Sequence, residues 1–431
     1  MAAKKAAGRL KRRLEPSELP KTRHGSSTYL VYGLMRIALL TREYPPEIYG
    51  GAGVHVEYLS KELKQLLDLE VYCFGKDRSA DEVAASYDWW SELSGDRPHQ
   101  AALRTLAINL QMASALEGAQ LVHTHTWYAN FSGHLAKLMY GIPHVMTSHS
   151  LEPLRPWKEE QLGGGYRVSR FVEKTAAEAC DRMIAVSAGM KADILRAYPN
   201  VDPQKVHVIY NGIDTEEYCP KDGSAALARH GIDPKKPIAI FVGRITRQKG
   251  VVHLLRAARL FEPEIQLVLC AGAPDTRELE TEVEDMVSEL KRTRSGVFWL
   301  RNMLPRPEVI ELLSASTVFL CPSIYEPFGI VNVEAMGCGT AVVASAVGGI
   351  VEVVVEGETG YLVRYAGDEQ GNPLLPEQFA EDFAKRVNQV ATDPQAARKM
   401  GEAGRARAVS TFSWKQVAAQ TVQLYRSLVE G

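Results

Sequence analysis

The sequence carries almost no excess charge of either sign. Its 431 residues include 50 Lys and Arg against 52 Asp and Glu, which gives a formal net charge of −2. A dedicated nucleic-acid-binding protein usually has a basic excess, so we expect no nucleic-acid partner. The chain also lacks any apolar run near the roughly 18 residues that a spanning helix needs, so we expect no membrane span.

Cysteine is sparse and unpatterned. The six cysteines include no Cys-x-x-Cys pair, so the spacing for a disulfide framework or a cysteine zinc site is missing. Small buried thiols are typical of a reducing compartment, and we expect a cytoplasmic protein. Collagen-like and low-complexity classes are excluded because 45% of the residues are hydrophobic and 24% are charged, close to the globular average.

Residues 1–34 differ in composition from the rest of the chain. They hold eight Lys and Arg but only two Glu, a local charge of +6, and no apolar core suited to a secretory signal. A compact strand-like run begins at Met35. We interpret residues 1–34 as a disordered basic extension, or as the product of a start codon upstream of Met35. An arm that attracts polyanions or membranes is the alternative.

From Met35 onward, short β-rich runs alternate with helical patterns, which predicts parallel sheets with crossover helices. A polar, lysine-rich stretch at Pro220–Lys236 separates two such series. We therefore predict an α/β fold with two Rossmann-like domains, residues 35–222 and 223–410, which face a central cleft. The predicted strands are Ile37–Leu40, Leu69–Phe74, Ala119–His123, His144–Ser148, Arg182–Val186, Val206–Ile209, Pro237–Gly243, Ile265–Ala271, Gly296–Leu300, Thr317–Pro322, Ala341–Ser345 and Gly360–Leu362.

Ligands of such sheets bind beyond the carboxyl ends of the strands, so loops that follow strands are the candidate sites. The loop after the first strand contains Gly50 and Gly51, which allow close backbone approach at a helix N-terminus that favours an anion. The loop after a strand in the second half contains Arg244 and Lys249, whose charges suit a diphosphate. The alternative for the first loop is an ordinary tight turn, and the alternative for the second is a solvated basic turn.

Two further strand-end segments carry candidate side chains. Glu326 and Glu334 lie eight residues apart, the first on a loop and the second about one turn into a predicted helix. They could be the carboxylate pair of a hydrolase, but a sugar-nucleotide clamp would also account for the basic residues of the second half. His149 follows another strand and could donate to a sugar hydroxyl, or it could only cap or pack.

Taken together, these residues resemble the GT-B glycosyltransferases, and specifically the glycogen and starch synthase branch. The resemblance covers about residues 35–431 and rests on the Arg-x4-Lys and Glu-x7-Glu pairs and on the Asn-Gly-Ile-Asp sequence at 211–214. Residues 41–46, 150–157 and 161–166 look like those of the short bacterial glycogen synthases best known from actinobacteria. That group includes enzymes that make α-maltose-1-phosphate from ADP-glucose and glucose-1-phosphate.

The resemblance implies a role for each matched residue on the donor side. Arg244 and Lys249 would neutralise the donor diphosphate, and Glu334 would hold the ribose hydroxyls. Glu326 would contact the transferred glucose, and His149 would hydrogen-bond it near its primary hydroxyl. The other implied donor-binding residues are Gly50, Gly51, Asn211, Gly329 and Ile330.

Two segments differ from the pattern of the larger synthases. Ile48 stands where their first loop has a lysine, so a positive charge near the phosphates is missing there. Thr126 and Tyr128 stand where an aspartate and a histidine are usual, so a long glucan need not be the acceptor. Arg155 and Lys158 could instead bind the phosphate of a small acceptor. The acceptor-side candidates are Trp127, Tyr128, Arg155 and Lys158.

The resemblance implies a retaining glucosyltransferase that moves glucose from ADP-glucose to an α-1,4-glucan or to glucose-1-phosphate in glycogen biosynthesis. It implies no cofactor and no metal requirement, and the sequence contains no Asp-x-Asp. Residues 411–431 would form a helix that returns to the first domain, and the protein could be a homo-oligomer. The alternatives are a GT-B enzyme that uses a UDP- or GDP-sugar and a catalytically silent sugar-nucleotide-binding protein.

Overall fold

The protein is described by a computed structural model that covers residues 35–76, 78, 80–272 and 274–430. The basic extension at residues 1–34 lies outside the described residues, so its interpretation stays a prediction. The described chain forms two parallel sheets flanked by helices. Within the described ranges, the structure contains no helix with the length and apolarity needed to cross a membrane.

The first sheet has seven parallel strands in the order β3-β2-β1-β4-β5-β6-β7. The strands are β1 (Arg36–Thr41), β2 (Asp68–Phe74), β3 (Val83–Tyr87), β4 (Leu121–His125), β5 (His144–Ser148), β6 (Arg182–Ala185) and β7 (Val206–Val208). Ala38 of β1 lies opposite Glu70 on one side and Val122 on the other. The strand order reverses between β1 and β4, which places a crevice at their carboxyl ends.

The helices of this half connect the strands and bury their apolar faces on the sheet. They are α1 (Gly51–Lys64), α2 (Gln100–Ser114), α3 (Thr126–Tyr140), α4 (Lys158–Leu162), α5 (Gly165–Ala179) and α6 (Ala188–Ala197). β5 shows why a crossover helix is needed on each face, because all five of its residues are buried.

The second sheet has six parallel strands in the order β10-β9-β8-β11-β12-β13. They are β8 (Ile238–Arg244), β9 (Gln266–Gly272), β10 (Val297–Leu300), β11 (Val318–Cys321), β12 (Ala341–Ser345) and β13 (Gly360–Val363). Here the order reverses between β8 and β11. The two sheets therefore each have a reversal point. Three of the four predicted loops follow strands at these points, namely β1, β8 and β11, and the fourth follows β5, the neighbour of β4.

The helices of the second half complete the predicted α/β architecture. They are α7 (Ser224–His230), α8 (Val251–Ala258), α9 (Arg277–Thr293), α10 (Arg306–Ser314), α11 (Ile330–Gly337), α12 (Ile350–Val353), α13 (Pro376–Ala391) and α14 (Pro394–Thr411). The stretch at Pro220–Lys236 differs from the linker that its polar composition indicates. It contains α7, whose Ala226 and Leu227 are buried.

A last helix, α15 (Trp414–Val429), returns to the first half, as predicted. Trp414 and Tyr425 belong to one buried cluster with Ile37 and Leu59 of the first half. A Cβ on Gly212 would lie 2.4 Å from the Trp414 indole, so only glycine permits this close approach.

Candidate active site

A cavity of about 1140 Å³ lies where the reversal points of the two sheets meet. Every residue that the sequence analysis assigned to the donor or acceptor side lines it. Several side chains join the two walls. Arg306 donates to Glu57 at 3.0 Å, and the Leu151 amide donates to the Tyr325 hydroxyl at 3.2 Å. Residues from both halves thus surround one site.

Lys249 and Glu326 form an ion pair inside the cavity. The Lys249 ammonium donates to Glu326 Oε2 at 2.5 Å, and the Ser323 hydroxyl donates to the same oxygen at 3.2 Å. Burial works against the charged ammonium, but the nearby carboxylate outweighs it and raises the pKa of Lys249. Sequence spacing did not indicate this pairing, because the two residues are 77 positions apart.

Arg244 ends β8 and lies near two cations from the first half. Its guanidinium donates to Asp275 at 3.3 Å. Lys158 donates to Gln161 at 2.6 Å, and burial, reinforced by the positive charge of Arg155, lowers the pKa of Lys158 to about 8. Arg155 and Arg244 thus place two further positive charges near Lys158, and a bound anion would stabilise all three.

The Arg155 guanidinium has few partners. Its guanidinium lies 3.8 Å from the Glu152 carboxylate and donates to the Ser150 hydroxyl at 3.1 Å. Its buried Nε has no partner among the described atoms. This guanidinium keeps unused donor capacity, which fits the predicted phosphate contact.

The first loop already contains an anion that belongs to the protein. The Glu43 carboxylate accepts hydrogen bonds from the amides of Tyr49 at 3.1 Å and Gly50 at 2.8 Å. A Cβ on Gly53 would lie 2.6 Å from the same carboxylate. The sequence predicts that backbone amides at this helix N-terminus bind a ligand anion, but in the structure two amides of the loop donate to the Glu43 carboxylate. Gly51 instead faces Ile330 across the cleft.

Gly329 and Glu334 lie at the start of α11. Gly329 has φ = 96°, a left-handed conformation that favours glycine, and a Cβ there would lie 2.5 Å from the Asn332 amide. Burial raises the pKa of Glu334, whose carboxylate accepts a hydrogen bond from the Tyr218 hydroxyl. Glu334 thus presents a carboxylate one turn into the helix, as the sequence pattern predicts.

Trp127 and Tyr128 lie side by side at the start of α3, with ring centroids 4.3 Å apart. Trp127 is buried, whereas Tyr128 stacks with the Arg42 guanidinium at 4.0 Å. Thr126, which precedes them, has φ = 64°, an unusual conformation for a β-branched residue. Such strained residues cluster at ligand sites, which agrees with the position of Thr126 on the cavity wall.

His149 belongs to a group of histidines that the sequence did not bring together, in which His55 and His125 are buried and His149 is half-buried. His149 Nε2 lies 2.9 Å from His125 Nδ1, and His55 Nδ1 lies 2.6 Å from Asn211 Oδ1. Burial lowers the pKa of His149 and of His125 well below the ordinary value and that of His55 to about 4. These rings are neutral near pH 7. In the sequence, this group of histidines is indicated by His123 and His125, which alternate at a strand end and therefore point to the same face of the sheet.

Residues 224–407 match the family model of glycosyl transferases group 1, and residues 49–217 match that of glycosyltransferase family 4. The chain is 53% identical over 397 residues to alpha-maltose-1-phosphate synthase from Mycolicibacterium smegmatis. That alignment covers 91% of this chain and 100% of the relative.

The chain belongs to the GT-B glycosyltransferases of group 1. This glycosyltransferase is also 53% identical to alpha-maltose-1-phosphate synthase from Mycobacterium tuberculosis strain H37Rv, with 91% of this chain and 100% of the relative covered. Among solved structures it is similar to sucrose-phosphate synthase from Thermosynechococcus elongatus, with a TM-score of 0.75 and 26% identity over 91% of this chain and 99% of that one.

Proposed function

We propose that this glycosyltransferase transfers glucose from ADP-glucose to glucose-1-phosphate, with retention of the α-configuration. The observation that carries the proposal is the cluster of Arg155, Lys158 and Arg244 on the cavity wall, where Glu152 and Asp275 are the acidic partners. A neutral glucan would not need these three cations, whereas a phosphorylated acceptor beside a donor diphosphate would bind them.

The names of the relatives support the same acceptor. An alpha-maltose-1-phosphate synthase makes a disaccharide with one phosphate at its reducing end. Transfer of one glucose to glucose-1-phosphate gives that product directly. ADP-glucose as donor follows from the resemblance to the short bacterial glycogen synthases.

The mechanism that we propose depends on stabilising the leaving group. Negative charge grows on the departing phosphate as the sugar becomes oxocarbenium-like, and Arg244 and Lys249 act where that charge develops. Glu334 would hold the ribose hydroxyls. Neutral His149, fixed by its contact with His125, would use its other nitrogen on the glucose.

Bond making and bond breaking occur on the same face of the sugar in this proposal. The C1–O bond to the acceptor forms as the C1–O bond to ADP breaks, and a donor phosphate oxygen takes the acceptor's proton. Glu326 is paired with Lys249 and is therefore a poor covalent nucleophile. We expect no divalent metal requirement, and loss of activity in EDTA that magnesium restores would contradict this.

An α-1,4-glucan is the second candidate acceptor, and one observation favours it. Trp89 lines the mouth of the cavity with 45% of its surface exposed, and the Arg104 guanidinium lies 5.0 Å from its ring. An exposed aromatic face of this kind can stack on glucose rings. During elongation of glycogen, this face of Trp89 would bind the glucan chain.

Product analysis with radiolabelled ADP-glucose and a panel of acceptors tests the proposal. We expect maltose-1-phosphate from glucose-1-phosphate, and we expect UDP- and GDP-glucose to be poor donors. Arg155→Ala should reduce transfer to glucose-1-phosphate far more than transfer to glycogen. Lys174→Ala is the control, because Lys174 is exposed and contacts only Glu178, at 3.9 Å. Equal loss of both transfers in Arg155→Ala would contradict the phosphate contact.

A further inference from the structure

We infer that His55, His125 and His149 form a binding site for a zinc-type divalent cation at the base of the cleft. One ring nitrogen from each residue lies within 4.8 Å of the other two. The residues come from α1, the end of β4 and the loop after β5, so the fold and not a local sequence motif creates the group.

The hydrogen bonding of His55 leaves a metal-binding lone pair free. Asn211 Oδ1 can only accept, so His55 Nδ1 carries the proton of the neutral ring. His55 Nε2 is then an unprotonated, buried acceptor, and no donor among the described residues reaches it. A histidine whose other nitrogen donates to an oxygen is the usual arrangement of a metal ligand.

His125 and His149 supply the second and third nitrogens. His125 Nδ1 and His149 Nε2 share one proton across 2.9 Å, and His125 Nε2 has no partner in the described structure. A cation that replaces the shared proton would bind both facing nitrogens.

The spacing suits zinc. Zinc binds imidazole nitrogen at about 2.0–2.1 Å in a tetrahedral arrangement, which places two such nitrogens roughly 3.3 Å apart. The ring centroids of the three histidines are 4.7 Å, 5.2 Å and 5.4 Å apart. Small side-chain rotations would bring the three nitrogens to the required distances. Imidazole ligands also suit copper and nickel, whereas magnesium prefers oxygen.

His149 connects this site to the cavity. It lines the cavity wall, whereas His55 and His125 lie behind it. The cation would bind the Nε2 side of His149, which faces His125, whereas the other nitrogen of this ring is the one proposed to contact the glucose. The binding of the cation therefore does not rest on the proposed function.

Equilibrium dialysis of the full chain against zinc chloride, followed by elemental analysis, tests the site without using activity. We expect one zinc per chain, and X-ray absorption should show imidazole nitrogens at about 2.0–2.1 Å. Asn211→Ala should weaken zinc binding by about 10–100-fold, because it removes the oxygen that orients His55. His55→Gln should weaken it at least as much.

His253→Gln is the matched control. His253 is also buried with an unpartnered nitrogen, but it lies in α8 of the second half. Unchanged zinc affinity in both His55→Gln and Asn211→Ala, or absorption spectra without imidazole ligands in the wild-type chain, would overturn the site.

Discussion

The Tyr425 hydroxyl lies 2.5 Å from Nδ1 of His123, although 302 positions separate the two residues in the chain. Both side chains are fully buried, and the other nitrogen of His123 lies 2.7 Å from the Thr147 hydroxyl. The last helix is thereby attached to the strand ends that form the floor of the cleft. His123 also packs against His125, with ring centroids 4.3 Å apart.

Tyr425→Phe should lower the free energy of unfolding by about 1–3 kcal/mol, because it leaves a buried histidine nitrogen without its partner. Urea denaturation measures the change. Tyr361→Phe is the control, since the Tyr361 hydroxyl only accepts a surface hydrogen bond from Gln389 at 2.8 Å. Its effect should stay within about 0.5 kcal/mol. An equal effect of the two substitutions would show that the buried contact contributes nothing.

Lys249→Ala should reduce kcat by about 100–1000-fold, or roughly 2.7–4 kcal/mol, because it removes a charge that we propose stabilises the departing phosphate. Steady-state kinetics with saturating ADP-glucose measures it. Arg259→Ala removes an exposed arginine paired with Glu289 and should leave kcat unchanged. If Lys249→Ala changed only the KM for donor, its role would be ground-state binding.

The affinity for glucose-1-phosphate should depend on pH through Lys158. Burial lowers the pKa of Lys158 to about 8, so its ammonium loses charge as the pH rises through that value. The KM for glucose-1-phosphate should therefore increase between about pH 7 and 9. Lys158→Arg keeps the charge over this range and should flatten the profile. Identical profiles for the two proteins would exclude Lys158 from the acceptor site.

His144 should make the fold sensitive to acid. Burial lowers the pKa of His144 from 6.5 to about 3, so between these values the unfolded chain binds a proton that the folded chain does not. The contribution of His144 to the free energy of unfolding is therefore fully present above pH 6.5. Below that pH it falls by up to about 1.4 kcal/mol per pH unit. His144→Gln should give a shallower decline in urea titrations. Carboxylates contribute equally to the wild-type chain and the variant. Parallel curves of unfolding free energy against pH would therefore contradict the assignment of the acid sensitivity to His144.

The sequence predicts the sheets well because most strands are short apolar runs buried on both faces. β5 is found at the predicted residues, and β8 differs by one residue at each end. β3 was missed, because its sequence, Val-Ala-Ala-Ser-Tyr, lacks an apolar run and its side chains are half-buried or exposed at the sheet edge. Parallel topology explains why candidate loops far apart in sequence converge on one cavity.

Pairwise contacts inside the site could not be predicted in the same way. Nothing in the local pattern shows that Lys249 pairs with Glu326 or that Glu43 fills the amides of its own loop. The contacts of His55 with Asn211 and of His123 with Tyr425 join residues more than 150 positions apart. Such contacts depend on how the layers pack, which periodicity and spacing do not encode.

The return of α15 to the first half has a consequence for synthesis. Leu59 and its neighbours are buried against Trp414 and Tyr425, which are translated long after Leu59. The amino-terminal half therefore cannot close its apolar surface until α15 has been translated. Nascent chains that stop before Trp414 would display this surface and would be natural clients for chaperones.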